Sequence, residues 1–140
     1  MNAIVDTDAL LGLFNINDTH HIKAVELATH IQNKGISIFI LPTTLCEFAL
    51  LASSRIGMKQ AQQAIEALIS SDYVSVDITE KIVKESTTLY RQQSSKEESL
   101  FDCFVMVVTK RLHIDYVFSF DRGYEKRGFT LLGNSHKEKN

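Results

Sequence analysis

The sequence has few of the residues that mark disulfide-stabilised and low-complexity proteins. It contains two cysteines, Cys46 and Cys103, with one proline and six glycines in 140 residues. The cysteines form neither a CxxC pair nor a disulfide framework, and we expect both to be small buried hydrophobic residues. So little Pro and Gly argues against long disordered tracts. The length fits one domain, which we assign to residues 1–133, with a polar tail at 134–140.

Long apolar runs are also missing. The longest, such as 38–41 and 104–108, are far shorter than the ~20 residues that cross a bilayer. The first residues show no basic stretch followed by an apolar segment and a small-residue cleavage site, so we expect no secretory signal. These absences predict a cytoplasmic protein without a membrane span.

An excess of basic residues is absent as well, since the formal net charge is -2. A surface that tracks phosphates usually carries more Lys and Arg than this. The charges are unevenly distributed: residues 1–80 hold four Lys/Arg and nine Asp/Glu, whereas residues 81–140 hold eleven and eight. This pattern allows an acidic region beside a basic one, although solvated helix faces explain most of the individual charges.

Short apolar segments rich in β-formers alternate with helical periodicity along the chain. The segments predict four strands and a weaker fifth, at 3–5, 36–41, 73–76, 116–120 and 129–132. Helices are predicted at 9–14, at 21–31 with Gly35 as the C-terminal cap, from Thr43 or Thr44 to Gly57, at 58–69, at 79–93 and at 100–112, with a loop at 94–98. We therefore expect an α/β fold with a mainly parallel sheet flanked by helices.

Four acidic residues stand where a charge is costly. Asp6 and Asp121 end predicted strands, and Glu47 and Asp102 fall in the first turns of apolar helices. In parallel sheets, ligands bind outside the carboxyl ends of the strands. If the four acids met there, each close pair at about 4 Å would repel by about 4 kcal/mol at an effective dielectric of about 20. A bound Mg²⁺ or Mn²⁺ would relieve that repulsion, because both ions prefer oxygen ligands.

Local structure offers another explanation for each acid. Segments 44–47 and 99–102 fit the capping box, in which Glu47 and Asp102 would accept hydrogen bonds from the first amides of a helix. The two acids at strand ends fit turn residues equally well. The residues alone leave the catalytic and the structural interpretation open.

Four segments in this order resemble the motifs of the PIN-domain family. Each places an acid at the junction of an apolar strand or turn with an apolar helix, and together they span nearly the whole chain: IVDTDALL at 4–11, PTTLCEF at 42–48, SLFDCFV at 99–105 and VFSFDRGY at 117–124.

The resemblance implies a single PIN-like, Rossmann-like domain with a five-stranded parallel sheet and Mg²⁺- or Mn²⁺-dependent cleavage of RNA. It points to the VapC branch of toxins, whose single-domain members are neutralised by a cognate antitoxin and often form homodimers. Ser119 matches a hydroxyl position near the fourth acid, whereas Asp8 departs from the Asn or Ser that is common in relatives. The acidic tetrad maps onto Asp6, Glu47, Asp102 and Asp121.

In such a site a cation lowers the pKa of a bound water and neutralises charge that grows on the phosphate oxygens. One carboxylate can take the proton of that water. Arg122 fits a phosphate contact, although a surface arginine without a partner is the more common case. The histidines lack metal-ligand spacing with the acids and are interpreted as surface or helix residues: His20, His21, His30, His113 and His136.

The resemblance also implies a protein partner. We expect the antitoxin to lay an apolar helix in a groove of the domain and to place a basic side chain among the carboxylates.

Two other functions compete with the nuclease. Asp6-Thr7-Asp8 after an apolar strand also resembles the nucleophile motif of haloacid-dehalogenase phosphatases, with Asp6 as nucleophile. Against that motif, Leu10 stands where a Thr or Val is wanted, and no Lys followed by paired acids appears near the fourth strand. The second rival is a PIN-like scaffold that binds RNA or protein without cleaving it.

Overall fold

The computed structural model describes residues 1–93 and 98–133. In this part of the chain, four parallel strands form one sheet in the order β3-β2-β1-β4. The strands are β1 Asn2–Val5, β2 Ser37–Ile40, β3 Val74–Ser75 and β4 Tyr116–Phe118. β1 is central, with Ile4 paired to Phe39 on one side and to Val117 on the other. The carboxyl ends of β1 and β4 therefore lie side by side.

Helices cover both faces of the sheet. They are α1 Thr7–Phe14, α2 His21–Lys34, α3 Pro42–Arg55, α4 Met58–Ile69, α5 Glu80–Arg91, α6 Leu100–Arg111 and α7 Gly123–Lys126. Because side chains alternate along a strand, Ala3 and Val5 pack with α1 to α4, whereas Ile4 packs with α5 to α7. The middle of α6, residues 103–109, is buried all round, as its composition predicted. The α/β architecture with a parallel sheet is confirmed.

The predicted fifth strand is reduced to a single contact. The segment 129–132 meets β4 only through a parallel bridge between Val117 and Leu131, supported by a 2.9 Å hydrogen bond from the Val117 amide to the Thr130 carbonyl. Leu132 and Gly133 already have helical conformation, so the segment leaves the sheet before a ladder can form. Within the described residues the sheet thus has four strands rather than five.

The start of α3 also differs from the prediction. The helix begins at Pro42 rather than at Thr43 or Thr44, and Leu41 precedes it without a side-chain cap. Proline is well suited to the first helical position, because the amide that it lacks would have no partner inside the helix. Glu47 consequently lies in the second turn of α3, and the expected capping box at 44–47 does not form.

The prediction that both cysteines are buried is half wrong. Cys103 is buried in α6, but Cys46 is exposed. The buried face of α3 is formed by Thr44, Phe48 and Ala52, which are four residues apart, so position 46 points away from the core.

Two predicted features lie wholly or mainly outside the described residues, namely the loop at 94–98 and the tail at 134–140, so the domain boundary at 133 stays a prediction. Within the described ranges, each helix is too short or too polar to cross a bilayer.

Candidate functional site

Asp6 lies where the two central strands end. It directly follows β1, and its backbone amide donates a 3.0 Å hydrogen bond to the Phe118 carbonyl at the end of β4. Asp6 is also the N-terminal cap of α1, since its Oδ1 accepts a 2.8 Å hydrogen bond from the Thr7 amide. The carboxylate is buried, with 4% exposure. Capping uses one oxygen and leaves Oδ2 facing the end of β4.

Ser119 connects the carboxylates at this edge. Its Oγ lies 3.2 Å from Asp6 Oδ2 and 3.0 Å from Asp8 Oδ1, and it accepts a 3.1 Å hydrogen bond from the Asp121 amide. A hydroxyl has a single proton, so Ser119 donates to one of the two carboxylates at a time. The hydroxyl that the sequence analysis selected therefore contacts three acidic residues.

Asp8 belongs to the site, although the sequence analysis set it apart as a departure from the family pattern. Its Oδ2 accepts a 2.9 Å hydrogen bond from the Phe120 amide, just beyond β4, and Ser119 Oγ lies within reach of both its oxygens. The first turn of α1 thereby contributes a second carboxylate next to Asp6.

Glu47 and Asp102 lie on helices that cover opposite faces of the sheet, and both side chains reach its carboxyl edge. The Thr7 hydroxyl donates to Glu47 Oε1, which joins the start of α1 to α3. Asp102 forms the predicted capping box with Ser99, whose amide donates to Asp102 Oδ2 at 2.9 Å. The other oxygen of Asp102, Oδ1, lies 3.4 Å from the Tyr124 hydroxyl. Asp102 is thus both a cap and a member of the site.

Tyr124 is a site residue that the sequence analysis did not select. Its hydroxyl donates a 2.9 Å hydrogen bond to Asp6 Oδ2 and also lies near Asp102, while the side chain as a whole is only 1% exposed. Its neighbours, residues 121–128, are mostly charged and show no periodicity that marks Tyr124, so the only hint was its place inside the fourth motif, three residues after Asp121.

Asp121 is the most open of the acids. It is exposed, and its Oδ1 accepts a 2.8 Å hydrogen bond from the Gly123 amide, which is the turn arrangement that the sequence analysis left open. A Cβ at position 123 would lie 3.1 Å from that oxygen, so glycine allows the close approach. The negative charge of Asp121 nevertheless acts on Asp8 and Asp102.

We call Asp6, Asp8, Glu47, Asp102 and Asp121 the acidic cluster. Burial raises the pKa of the first four, that of Asp6 by the largest amount, and repulsion from other members of the cluster adds to each rise. Across residues 1–93 and 98–133, each salt bridge found involves an acid outside the cluster. The cluster is therefore a concentration of acidic groups with which no cationic side chain of the described residues forms a salt bridge.

The donor set suits a hard divalent cation, because it consists of carboxylate and hydroxyl oxygens. As the side chains of the described residues are placed, no three carboxylate, imidazole or thiol groups are grouped tightly enough to coordinate one ion. The hydroxyls of Thr7, Ser119 and Tyr124 stand between the carboxylates instead. An ion would take over oxygens that these hydroxyls now contact.

Arg122 lies beside the cluster without touching it. It is exposed at the start of α7 and lines a cavity that Ser119 also lines. The structure thus brings the four predicted acids and Ser119 to one edge of the sheet, adds Asp8 and Tyr124, and leaves Arg122 at the rim.

We predict that Tyr124→Phe destabilises the metal-free protein. The change removes a donor from a buried carboxylate, which typically costs about 1 to 3 kcal/mol. Urea unfolding in EDTA measures the loss, and Tyr90→Phe, at an exposed tyrosine of α5, is the matched control. Equal stability of the two variants would show that the Tyr124 hydroxyl does not support Asp6.

We also predict that the cluster makes the metal-free fold less stable as pH rises. The pKa of Asp8 is raised by burial, so the folded protein holds this proton more tightly than the unfolded chain does. The resulting stabilisation is complete below the ordinary carboxyl pKa of about 4 and disappears as pH rises through the raised value.

Thermal unfolding at a series of pH values, in EDTA, tests this expectation in the wild type and in Asp8→Asn. The variant should lose less stability toward neutral pH, and added Mg²⁺ or Mn²⁺ should raise the Tm of the wild type more than that of the variant. Superimposable pH profiles would refute the prediction.

Comparisons with known proteins agree with this geometry. A family model of the PIN domain matches residues 3–129. A VapC ribonuclease of Aquifex aeolicus (strain VF5) is 22% identical in an alignment of 138 positions, which covers 96% of this chain and 98% of that protein.

Two solved structures are also similar. Mycobacterium tuberculosis VapC20, described as a Sarcin-Ricin loop cleaving toxin, has a TM-score of 0.83 and 21% identity, covering 92% of this chain and 97% of that one. VapBC2 from Rickettsia felis, bound to a DNA fragment from its promoter, has a TM-score of 0.66 and 16% identity, covering 94% and 97%. The family model covers most of the chain and the two structures share its fold, so this chain belongs to the PIN domain family, as its four acidic motifs predicted.

Proposed function

We propose that this chain is a divalent-metal-dependent endoribonuclease that hydrolyses RNA phosphodiester bonds, and that it is the toxin of a type II toxin–antitoxin pair. The observation that carries the proposal is the convergence of five carboxylates at the carboxyl edge of the sheet, without a protein cation to balance them in the described residues. The similarity to a VapC ribonuclease over nearly the full length supports the reaction.

The residues that would hold Mg²⁺ or Mn²⁺ are Asp6, Glu47, Asp102 and Asp121, with Asp8 adding charge beside them. When bound, such an ion lowers the pKa of a water and neutralises negative charge on the phosphate. Without it, an RNA phosphate approaching five carboxylates would be repelled.

Other side chains position the carboxylates or accept a proton. Ser119 and Tyr124 hold Asp6 in place through hydrogen bonds to its Oδ2. Glu47 is the least buried of the four acids whose pKa is raised. A raised pKa makes a carboxylate a better proton acceptor, and water reaches Glu47 more easily than the other three, so we assign to Glu47 the proton that leaves the attacking water.

The rival activities are separable. The match to the PIN family over residues 3–129 leaves the haloacid-dehalogenase resemblance around Asp6 without further support. A scaffold that binds RNA without cleaving it remains the alternative, and a cleavage assay decides between the two.

We expect the purified protein to cleave structured RNA in Mg²⁺ or Mn²⁺ but not in EDTA, and Asp6→Asn to slow cleavage by about a hundredfold or more, the scale seen when one preorganised electrostatic group is lost. A sarcin–ricin stem-loop is the first RNA to test, because the name of VapC20 refers to that loop. Asp72→Asn, at an exposed acid outside the cluster, is the control. Equal rates in a folded Asp6→Asn protein would mean that the activity comes from elsewhere.

We further propose a cognate antitoxin, and a homodimer of this chain, as the partners. The similarity to VapBC2 supports an antitoxin. Helices α3 and α4 expose the apolar side chains of Leu50, Met58 and Ile69. Met58 lines a cavity of about 670 Å³ that both helices form, and an apolar helix could cover this surface.

A partner that also places a basic side chain among the carboxylates would inhibit cleavage. Pull-down of the tagged chain from its native host should therefore yield a small basic companion that blocks RNA cleavage. Repeated recovery of the chain without a companion, in active form, would contradict this part of the proposal.

A further inference from the structure

A small cavity opens beside the acidic cluster, on the side of β4 and the start of α2. Its volume is about 220 Å³, and its lining includes Ser119, the hydroxyl that contacts Asp6 and Asp8. Two larger cavities, of about 340 and 670 Å³, are lined neither by the cluster nor by Thr7, Ser119 or Tyr124, whose hydroxyls contact it. The smaller cavity is therefore the one that a substrate held at the cluster would reach.

An aromatic stack forms one wall of this cavity. The imidazole of His20 and the ring of Phe120 are parallel within 3°, with 4.3 Å between their centroids. Both ends of the stack are anchored: the His20 amide donates to Asp18 Oδ1 at 2.8 Å, and the Phe120 amide donates to Asp8 Oδ2 at 2.9 Å. His20 is exposed, so the stack presents a flat surface to solvent at a fixed position relative to the cluster.

Two basic side chains line the same cavity, in contrast to the acidic cluster next to it. Arg122 is exposed and takes part in none of the salt bridges among the described residues. In the described part of the chain, the one ion pair of Lys23 is with Glu26, at 3.4 Å, and such a pair in contact with solvent is weak. Both cations are thus available to an anion, and guanidinium and ammonium groups are the usual protein ligands of phosphate.

The size and floor of the cavity restrict what it can hold. Pockets that enclose a drug-sized ligand measure roughly 300 to 1,000 Å³, so about 220 Å³ suits a single flat group rather than a whole metabolite. The buried side chains of Leu27 and Leu131 make the bottom of the cavity apolar. A flat apolar group joined to an anion, next to a phosphodiester-cleaving site, describes one nucleotide of a nucleic acid strand.

We propose that this cavity is the subsite for the unpaired nucleotide next to the scissile phosphate of the RNA. Its base stacks on the His20–Phe120 pair, and its phosphate lies against Lys23 and Arg122. This inference rests on the proposed nuclease function, because the scissile phosphate is taken to lie at the acidic cluster. Stacking on an aromatic surface tolerates any base, so the subsite selects a single strand over a duplex rather than a particular base.

The test measures RNA affinity separately from cleavage. A short fluorescein-labelled single-stranded RNA is titrated with Asp6→Asn protein in Mg²⁺, and anisotropy gives the Kd. Adding His20→Ala should weaken binding about five- to a hundredfold, the range expected when one base loses its aromatic partner. Adding His20→Phe instead should keep the affinity close to that of the Asp6→Asn protein, because the flat surface is retained.

The phosphate contacts proposed for Lys23 and Arg122 are tested in the same assay. Lys23→Ala and Arg122→Ala should each weaken binding and lower its dependence on salt, since each removes a phosphate contact. Lys59→Ala, at an exposed lysine of α4, is the matched control and should leave both unchanged. His20, Lys59 and Arg122 are exposed, so far-ultraviolet circular dichroism should show folded variants.

The outcomes separate the two proposals. The substitutions His20→Ala, Lys23→Ala and Arg122→Ala are also made in the wild type, to measure cleavage. If the wild type cleaves RNA, and the three substitutions change neither binding by the Asp6→Asn protein nor cleavage by the otherwise wild-type protein, the subsite is refuted while the nuclease stands. If the wild type does not cleave RNA in either metal, but His20→Ala still weakens binding that His20→Phe retains, the nuclease is refuted, and with it the place of the cavity next to a scissile phosphate, while the cavity stands as a site that binds an unpaired nucleotide. Equal loss in His20→Ala and His20→Phe refutes the stack as a base platform.

Discussion

Repulsion among carboxylates at one edge of the sheet is the constraint on which the site depends. Asp6 caps α1 and Asp8 lies in the first turn of the same helix, and charges on Asp102 and Asp121 act on them from other elements. The protein partly offsets this cost with uncharged donors, chiefly the hydroxyls of Thr7, Ser119 and Tyr124 and the amides at helix starts. Donors of this kind orient the carboxylates without neutralising them, which preserves their affinity for an external cation.

The structural and the catalytic interpretations of the acids turn out to be compatible. Asp6 caps α1 with one oxygen and faces β4 with the other, and Asp102 divides its oxygens in the same way between Ser99 and Tyr124. A carboxylate that binds the first amides of a helix through one oxygen is held in place by that helix. Its second oxygen therefore has a defined position at little additional conformational cost. This explains why motifs that look like helix signals coincide with the site.

Much of the fold follows from local patterns, whereas the details of the site depend on contacts distant in sequence. Strand and helix periodicity predicted the parallel sheet, and strand ends predicted the edge where Asp6 and Asp121 lie. Periodicity did not reveal that Pro42 starts α3, that Cys46 faces outward, or that 129–132 pairs through one residue, because each depends on how neighbouring elements pack. The roles of Tyr124 and His20 were missed because each acts through a contact more than 90 positions away along the chain.

The position of β4 affects how the protein is made. Ser119 and Tyr124 follow this strand, and both contact Asp6, which lies more than a hundred positions earlier. A ribosome therefore releases more than a hundred residues after Asp6 before these oxygens can be brought together. Nascent chains that end before Ser119 contain Asp6, Asp8 and Glu47 but not the groups that orient Asp6, so the site cannot be complete until the segment after β4 has been released.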